Sequence, residues 1–200
     1  MHELDLNELY LDEISDIMKL MYQRRLIQIR GGNASIIDRE NNLVYISPTG
    51  IPRHKISKDD IAVIDINGKA IIGLPSSEWR MHLAIYKEIQ DAKAIVHAHT
   101  PYLLALDKAN IKLDLSILTE TSLRVKCINE VPLLQPGTQE LADSVSKALK
   151  EGCNAALLRG HGIVSFSKET IYHALEMVEA IEDLAMIEII NSLTTRSSMV

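Results

Sequence analysis

The chain has 200 residues, 46% of them hydrophobic, and a net charge of −6. That length and apolar content suit one domain with a sizeable core. The acidic balance, with no basic patch interleaved with aromatics, argues against a nucleic-acid or anionic-membrane surface. No apolar run approaches the roughly 18–20 residues that cross a bilayer, and the acidic start "MHELDLNELYLDE" lacks the basic-then-apolar order of a signal peptide. Cys127 and Cys153 stand alone, without CxxC spacing. They read as free, buried thiols of a cytoplasmic protein.

In chain order, Leu11, Ile14, Met18 and Met21 fall at helical spacing and predict a helix over residues 7–28, broken by Gly31-Gly32. "LVYIS" is a short strand closed by "PTG". Asn67-Gly68 between two apolar runs is a hairpin signal. "PSSEWRMHLAIYKEI" changes period. Trp79, Leu83 and Tyr86 share a helical face, and Pro75-Ser76-Ser77 supplies the start. A strand follows and ends in "HAH". Residues 103–130 are less regular, with one strand expected near residues 124–128. "PGTQELADSVSKALKEG" reads as a helix capped by Thr138, with Gly152 beyond its end. "AALLRGHGIVSFS" gives two strands joined at Gly160-His161-Gly162. A last helix over residues 168–191 buries Ile171, Ala174, Val178, Ile181 and Ala185. The hairpin signals favour an α/β domain spanning residues 1–200 whose central sheet is mixed or mostly antiparallel, layered between helices.

The chemistry starts at His97-x-His99. Alternate residues of a strand share a face, so the two imidazoles point the same way, roughly 6–7 Å apart along the backbone. A catalytic zinc takes three protein ligands and keeps a position open. His161 between two glycines is the natural third, since glycine lets backbone and ligand approach closely. Glu78, in the first helical turn, is either a fourth ligand or a base beside the metal. Glu78 with His82, four apart, is a competing pair, but His82 shares its helix with Trp79 and Leu83 and suits a buried hydrogen bond better. His2, His54 and His173 carry no spacing signal. Three stretches rich in small residues and hydroxyls, Gly31-Gly32-Asn33, Ser47-Pro48-Thr49-Gly50 and Ser76-Ser77, look like anion cradles. The last of them opens a helix, whose positive end attracts phosphate.

"GGNASI", "ISPTGI", "PSSEWRMH", "IVHAHTP" and "RGHGIV", in this order, resemble the class II aldolase/adducin family over roughly residues 18–182. The resemblance implies one zinc ion per subunit on His97, His99 and His161, with Glu78 coordinating at rest and handling a proton in turnover. It implies substrate phosphate held by Gly32, Asn33, Thr49, Gly50, Ser76 and Ser77. It also implies reversible cleavage of a ketose 1-phosphate, such as L-fuculose 1-phosphate, to dihydroxyacetone phosphate and an aldehyde, in a homotetramer with active sites at subunit boundaries. Bacterial aldolases of the family use tyrosines from a mid-chain segment and the C-terminal tail. Here "LDLSILTETSLRV" has none, and none follows Tyr172. Glu120 and Tyr102 are the candidates to protonate the aldehyde oxygen instead. Other enzymes of the fold, dehydratases, decarboxylases, epimerases and 5-deoxyribulose-1-phosphate aldolases, are alternatives, although the epimerases typically carry Asp at the position of Glu78. A metal-free adducin-like interaction module is the alternative of another class, and the three histidines with Glu78 count against it.

Overall fold

The computed structural model describes residues 6–197; His2, with the rest of the first five residues and the last three, lies outside the described residues. The strands are β1 (Asn33–Asp38), β2 (Leu43–Ile46), β3 (Ala62–Asp65), β4 (Ala70–Ile72), β5 (Ala94–Ala98), β6 (Ile128–Val131), β7 (Ala155–Leu158) and β8 (Gly162–Ser167). The helices are α1 (Glu8–Gln23), α2 (Trp79–Glu88), α3 (Pro101–Lys108), α4 (Thr119–Arg124), α5 (Gln139–Lys150) and α6 (Ile171–Ser197). All eight strands form one sheet in the order β4-β3-β2-β1-β5-β8-β7-β6. Every pairing is antiparallel except that of β6 with β7. The expected α/β domain with a mostly antiparallel sheet is therefore what the chain forms.

Strand alternation divides the core in two. Leu43, Tyr45, Val63, Val96 and Ile163 face the layer of α1, α3 and α6. Val44, Ile46, Ile64, Ile95 and Val164 face α2 and α5, which pack on each other. Each layer seals one face of the sheet. The Asn67-Gly68 turn joins β3 to β4, as its sequence indicates, with Gly68 donating its N–H to Asp65 at 2.9 Å. Thr138 caps α5 by accepting the Leu141 N–H at 3.2 Å.

Four local expectations are corrected. The first helix stops at Gln23 rather than continuing to residue 28, because Arg25 turns left-handed (φ 62°) and Leu26 donates back to Met21 at 2.9 Å. That turn brings Leu26 and Ile27 into the core without helix. Second, α3 occupies part of the stretch read as irregular. Its cap comes from far away: buried Glu182 on α6 accepts the N–H groups of Tyr102 and Leu103, both at 2.9 Å. Third, the strand expected near residues 124–128 begins only at Ile128. The residues before it form α4, anchored by buried Thr121, whose hydroxyl donates to the Ala180 carbonyl of α6 at 3.2 Å.

Finally, Cys127 and Cys153 are not free thiols but a disulfide. Cys127 precedes β6 and Cys153 lies two residues before β7. Because those strands run parallel with Ile128 opposite Ala155, their entry points lie side by side, 4.8 Å apart at Cα. That separation suits a disulfide bond. A separation of 26 in sequence gives no hint of it.

Candidate metal centre and anion cradle

β5 runs antiparallel to both β1 and β8. The start of β1, the end of β5 and the start of β8 therefore meet at one end of the sheet. Asn33 opens β1, His97 and His99 close β5, and His161 precedes β8. Glu78 caps α2 on the face that also carries Ile95. Strand register thus converts distant stretches of sequence into one cluster.

Glu78, His97, His99 and His161 bring their ligand atoms within 4.8 Å of one another. His97 Nε2 lies 3.1 Å from His99 Nε2 and 3.2 Å from Glu78 Oε2, and His161 Nε2 lies 3.7 Å from Glu78 Oε1. Ligands roughly 2.0–2.1 Å from a tetrahedral zinc stand roughly 3.3 Å apart, close to these separations. The far ring nitrogens fix the tautomers. His97 Nδ1 donates to the Ile163 carbonyl at 3.0 Å, and His99 Nδ1 faces Gln28 Oε1 at 2.8 Å. Both Nε2 atoms are thereby left facing each other and the Glu78 carboxylate, an arrangement that a shared cation would satisfy. Buried Glu78 Oε1 has no hydrogen-bond partner among the described residues. The four residues fit a metal ion.

The electrostatics agree. Burial pushes the Glu78 carboxyl up, but His97, His161 and the Asn33 amide outweigh it and hold the group well below the usual carboxylate range. Burial, then neighbouring His97 and His161, lowers His99 to about 3. Burial and His97 bring His161 to about 4. Neutral imidazoles and an ionised carboxylate are the forms that bind a metal.

His82 lies outside this group. Asn33 Nδ2 donates to Glu78 Oε2 at 2.9 Å, which turns Asn33 Oδ1 toward His82 Nε2 at 2.5 Å. That nitrogen must carry the proton, so His82 Nδ1 accepts from the Ser35 hydroxyl at 2.6 Å, with Tyr86 beyond it. A buried relay Glu78–Asn33–His82–Ser35–Tyr86 results, and burial lowers His82 to about 3. Both polar ends of the Asn33 side chain are engaged within it.

The three cradle stretches also meet. The Ser76 N–H donates to the Ser47 carbonyl at 3.0 Å and the Thr49 N–H to the Leu74 carbonyl at 3.2 Å, Pro48 bridges Pro75, and Ser47 Oγ accepts the N–H of Ala34, next to Asn33, at 3.1 Å. Ser77 and Gly50 are exposed and Thr49 is half-buried, so the cradle opens outward. Gly162 is required for a different reason from the one its spacing suggested: a Cβ there would lie 2.1 Å from the Ala98 carbonyl oxygen, where β5 and β8 approach. Glu120 is exposed and paired with Arg124, and Tyr102 is exposed on the first turn of α3.

Two participants carry no local signal. Gln28, 71 residues from His99, orients that ring. Arg53 sits buried behind the cradle and donates to the carbonyls of Gly31 (3.0 Å), Pro48 (2.9 Å), Arg30 (3.2 Å) and Gly32 (2.9 Å).

The sequence profile described as class II aldolase and adducin N-terminal domain matches residues 12–189. An L-fuculose phosphate aldolase of Methanococcus maripaludis is 38% identical over 180 residues, covering 90% of this chain and 96% of that protein. A 5-deoxy-D-ribulose 1-phosphate aldolase of Bacillus thuringiensis serovar kurstaki is 32% identical over 180 residues, covering 88% of this chain and 82% of that protein. A solved structure of an L-fuculose 1-phosphate aldolase superposes with a TM-score of 0.85 at 35% identity, covering 94% of this chain and 89% of that one. With the histidine and glutamate cluster in place, these matches lead to one conclusion: the chain belongs to the class II aldolase and adducin family.

Proposed function

We propose that the protein is a zinc-dependent aldolase that reversibly cleaves a ketose 1-phosphate of the L-fuculose 1-phosphate kind into dihydroxyacetone phosphate and an aldehyde. The observation that carries this reading is the convergence of three imidazole rings and a carboxylate oxygen without a hydrogen-bond partner beside a cradle of three stretches that opens outward at Thr49, Gly50 and Ser77. His97, His99, His161 and Glu78 would hold the ion. Zinc at that position supplies a Lewis acid for the substrate's carbonyl and hydroxyl oxygens.

The chain's own residues do the rest. Thr49, Gly50, Ser76, Ser77 and Gly32 hold the phosphate, with Ser76 and Ser77 adding the positive end of α2. Asn33, tied between Glu78 and His82, aims the carboxylate. In cleavage, the hydroxyl proton of the fourth carbon passes to solvent as that carbon becomes the aldehyde. The electron pair of the broken bond stays on the third carbon, and Glu78 takes up one proton from solvent in exchange. Glu78 then returns a proton to the third carbon, and the condensation runs the same path backwards. Sealing this chemistry from water on one side are His97 and His82, both fully buried.

The whole chain is read as one domain of this family, assembled as a homotetramer with sites at subunit boundaries. Exposed Leu133, Leu123 and Leu74 offer apolar surface for such contacts. No helix among the described residues is long and apolar enough to cross a membrane. We place the protein in the cytoplasm, where the Cys127–Cys153 bond is open to reduction by cellular thiols.

The test combines metal analysis with a substrate panel. Protein purified without chelator should carry one zinc per chain and release dihydroxyacetone phosphate from a ketose 1-phosphate, and His99→Ala should lose both properties while keeping its fold. A metal-free wild type inert on every ketose 1-phosphate would overturn the reading in favour of an interaction module.

A further inference from the structure

We infer that Arg53 is a positioning residue for phosphate: it braces the anion cradle from behind and supplies the positive charge that the bound dianion balances. The inference rests on the aldolase reading above and extends it to a side chain outside the motifs that carry the family resemblance.

Arg53 is 2% exposed, among the most enclosed charged groups in the molecule. Buried guanidinium groups ordinarily face a carboxylate, because an uncompensated charge in the interior is expensive. Among the described residues this one has no ion-pair partner. Burial alone shifts it, down to about 10, with no acid acting in the other direction. It therefore remains a cation at neutral pH. Its donors all go to backbone carbonyls, Nε to Gly31, Nη1 to Pro48, and Nη2 to both Arg30 and Gly32. Carbonyl dipoles satisfy the hydrogen bonds but leave the net charge in place.

Those four carbonyls belong to two loops. The first runs directly into Gly32 and Asn33, the second into Thr49 and Gly50. The planar fork spans both and fixes their separation, which a single-point ammonium cannot do. A trans peptide sets its N–H opposite its C=O, so drawing the Gly31 carbonyl onto Arg53 turns the Gly32 N–H away from the guanidinium. Gly32 adopts φ +62° there, and a Cβ would lie 2.8 Å from the His97 carbonyl oxygen, so the loop is held tightly on both sides. The dipoles of these peptides point their negative ends at the cation. The Thr49 and Gly31 N–H groups serve the Leu74 and Gln28 carbonyls at 3.2 and 3.0 Å, so it is the Gly31–Gly32 peptide whose positive end, facing away from the cation, adds to the field that draws an anion into the cradle. A cation without a buried acid, clamped to loops that open outward at Thr49, Gly50 and Ser77, leaves one charge for a ligand to supply.

The experiment compares Arg53→Met and Arg53→Lys with the wild type, using inorganic phosphate as the probe. Calorimetric titration and the rise in melting temperature with phosphate report binding without turnover. Zinc content and circular dichroism establish that each variant is loaded and folded. Arg53→Met should weaken phosphate binding roughly tenfold to a hundredfold, the scale of a lost charge-assisted interaction. It should raise KM for a ketose 1-phosphate far more than it lowers kcat. Arg53→Lys, with the charge but not the fork, should recover part of the affinity. Variants that bind phosphate as the wild type does would reduce Arg53 to a structural brace and overturn the inference alone. Equal increases in KM for phosphorylated and unphosphorylated ketoses would do the same. If Arg53→Met does not fold, Arg53→Lys carries the test, and wild-type affinity in it would refute any need for the fork. A wild type that neither binds phosphate nor prefers phosphorylated ketoses would instead remove the aldolase reading, and this inference with it.

Discussion

The two ends of the sheet differ in a way that cavity size alone would misjudge. At the end opposite the histidines lies a cavity of about 640 Å³, lined by Leu149, Cys153, Phe166, Met177 and a rim of charged side chains. Its charges are exposed and satisfied: Lys168 pairs with Asp91, Lys150 with Glu88, and Arg124 with Glu120 and Glu176. At the histidine end the polar groups are buried, yet several are unsatisfied. Glu78 Oε1 lacks a hydrogen-bond partner, the Nε2 atoms of His97 and His99 face each other, and Arg53, though hydrogen-bonded to four carbonyls, has no acid beside it among the described residues. Natural folds rarely tolerate buried unpaired polar groups. A cluster of such groups is the feature on which the proposed metal and phosphate site rests. The large cavity lies between solvated ion pairs; the histidine end is the one proposed to bind.

The largest effect expected from this contrast is at Glu78. Glu78→Gln keeps the size of the side chain and removes the base, which should slow exchange of solvent deuterium into dihydroxyacetone phosphate roughly 10²–10⁴-fold. NMR follows the exchange without any aldehyde, and metal analysis alongside separates loss of the base from loss of zinc. Wild-type exchange in a zinc-replete Glu78→Gln enzyme would assign the proton transfer elsewhere. The opposite end should respond in stability, not chemistry. Reducing the disulfide, which closes a loop of 26 residues, should lower unfolding free energy by about 3 kcal/mol on chain-entropy grounds. Zinc content should stay unchanged. Denaturant melts with and without dithiothreitol measure the first quantity, and a loss of metal on reduction would show that the two ends are coupled. The smallest effect belongs to the rim. Asp91→Ala, which removes an exposed partner of Lys168, should change stability by about 0–1 kcal/mol and turnover not at all.

The sequence exposes the histidines because their grouping is written locally. His97-x-His99 needs only strand alternation, and Gly160-His161-Gly162 marks its own turn. The Asn67-Gly68 hairpin and the Thr138 cap are equally short-range. What stayed hidden depends on partners far along the chain. Glu182 caps α3 from about eighty residues away. Thr121 holds α4 against α6, which turns an expected strand into helix. The disulfide follows from the parallel β6–β7 pairing, which no hairpin signal announces. The place of Asn33 after two glycines, and the family resemblance, mark it for phosphate but say nothing of a second task. Its buried amide links Glu78 to His82, a role visible only once β1 and α2 are adjacent.

The strand order also dictates when the metal centre can exist. β5, which carries His97, sits between β1 and β8. Its pairing with β1 is available once residues 33–98 have left the ribosome, but β8 and His161 emerge more than sixty residues later. A growing chain in which β1 and β5 pair early would hold a two-histidine half-site, with the far edge of β5 unpaired, until β8 emerges. The full ligand set closes only when β8 inserts between β5 and β7, late in translation. An ion that binds the completed centre stabilises the finished fold and none of its precursors. Metal uptake is therefore expected at the last step of maturation, on a sheet already formed.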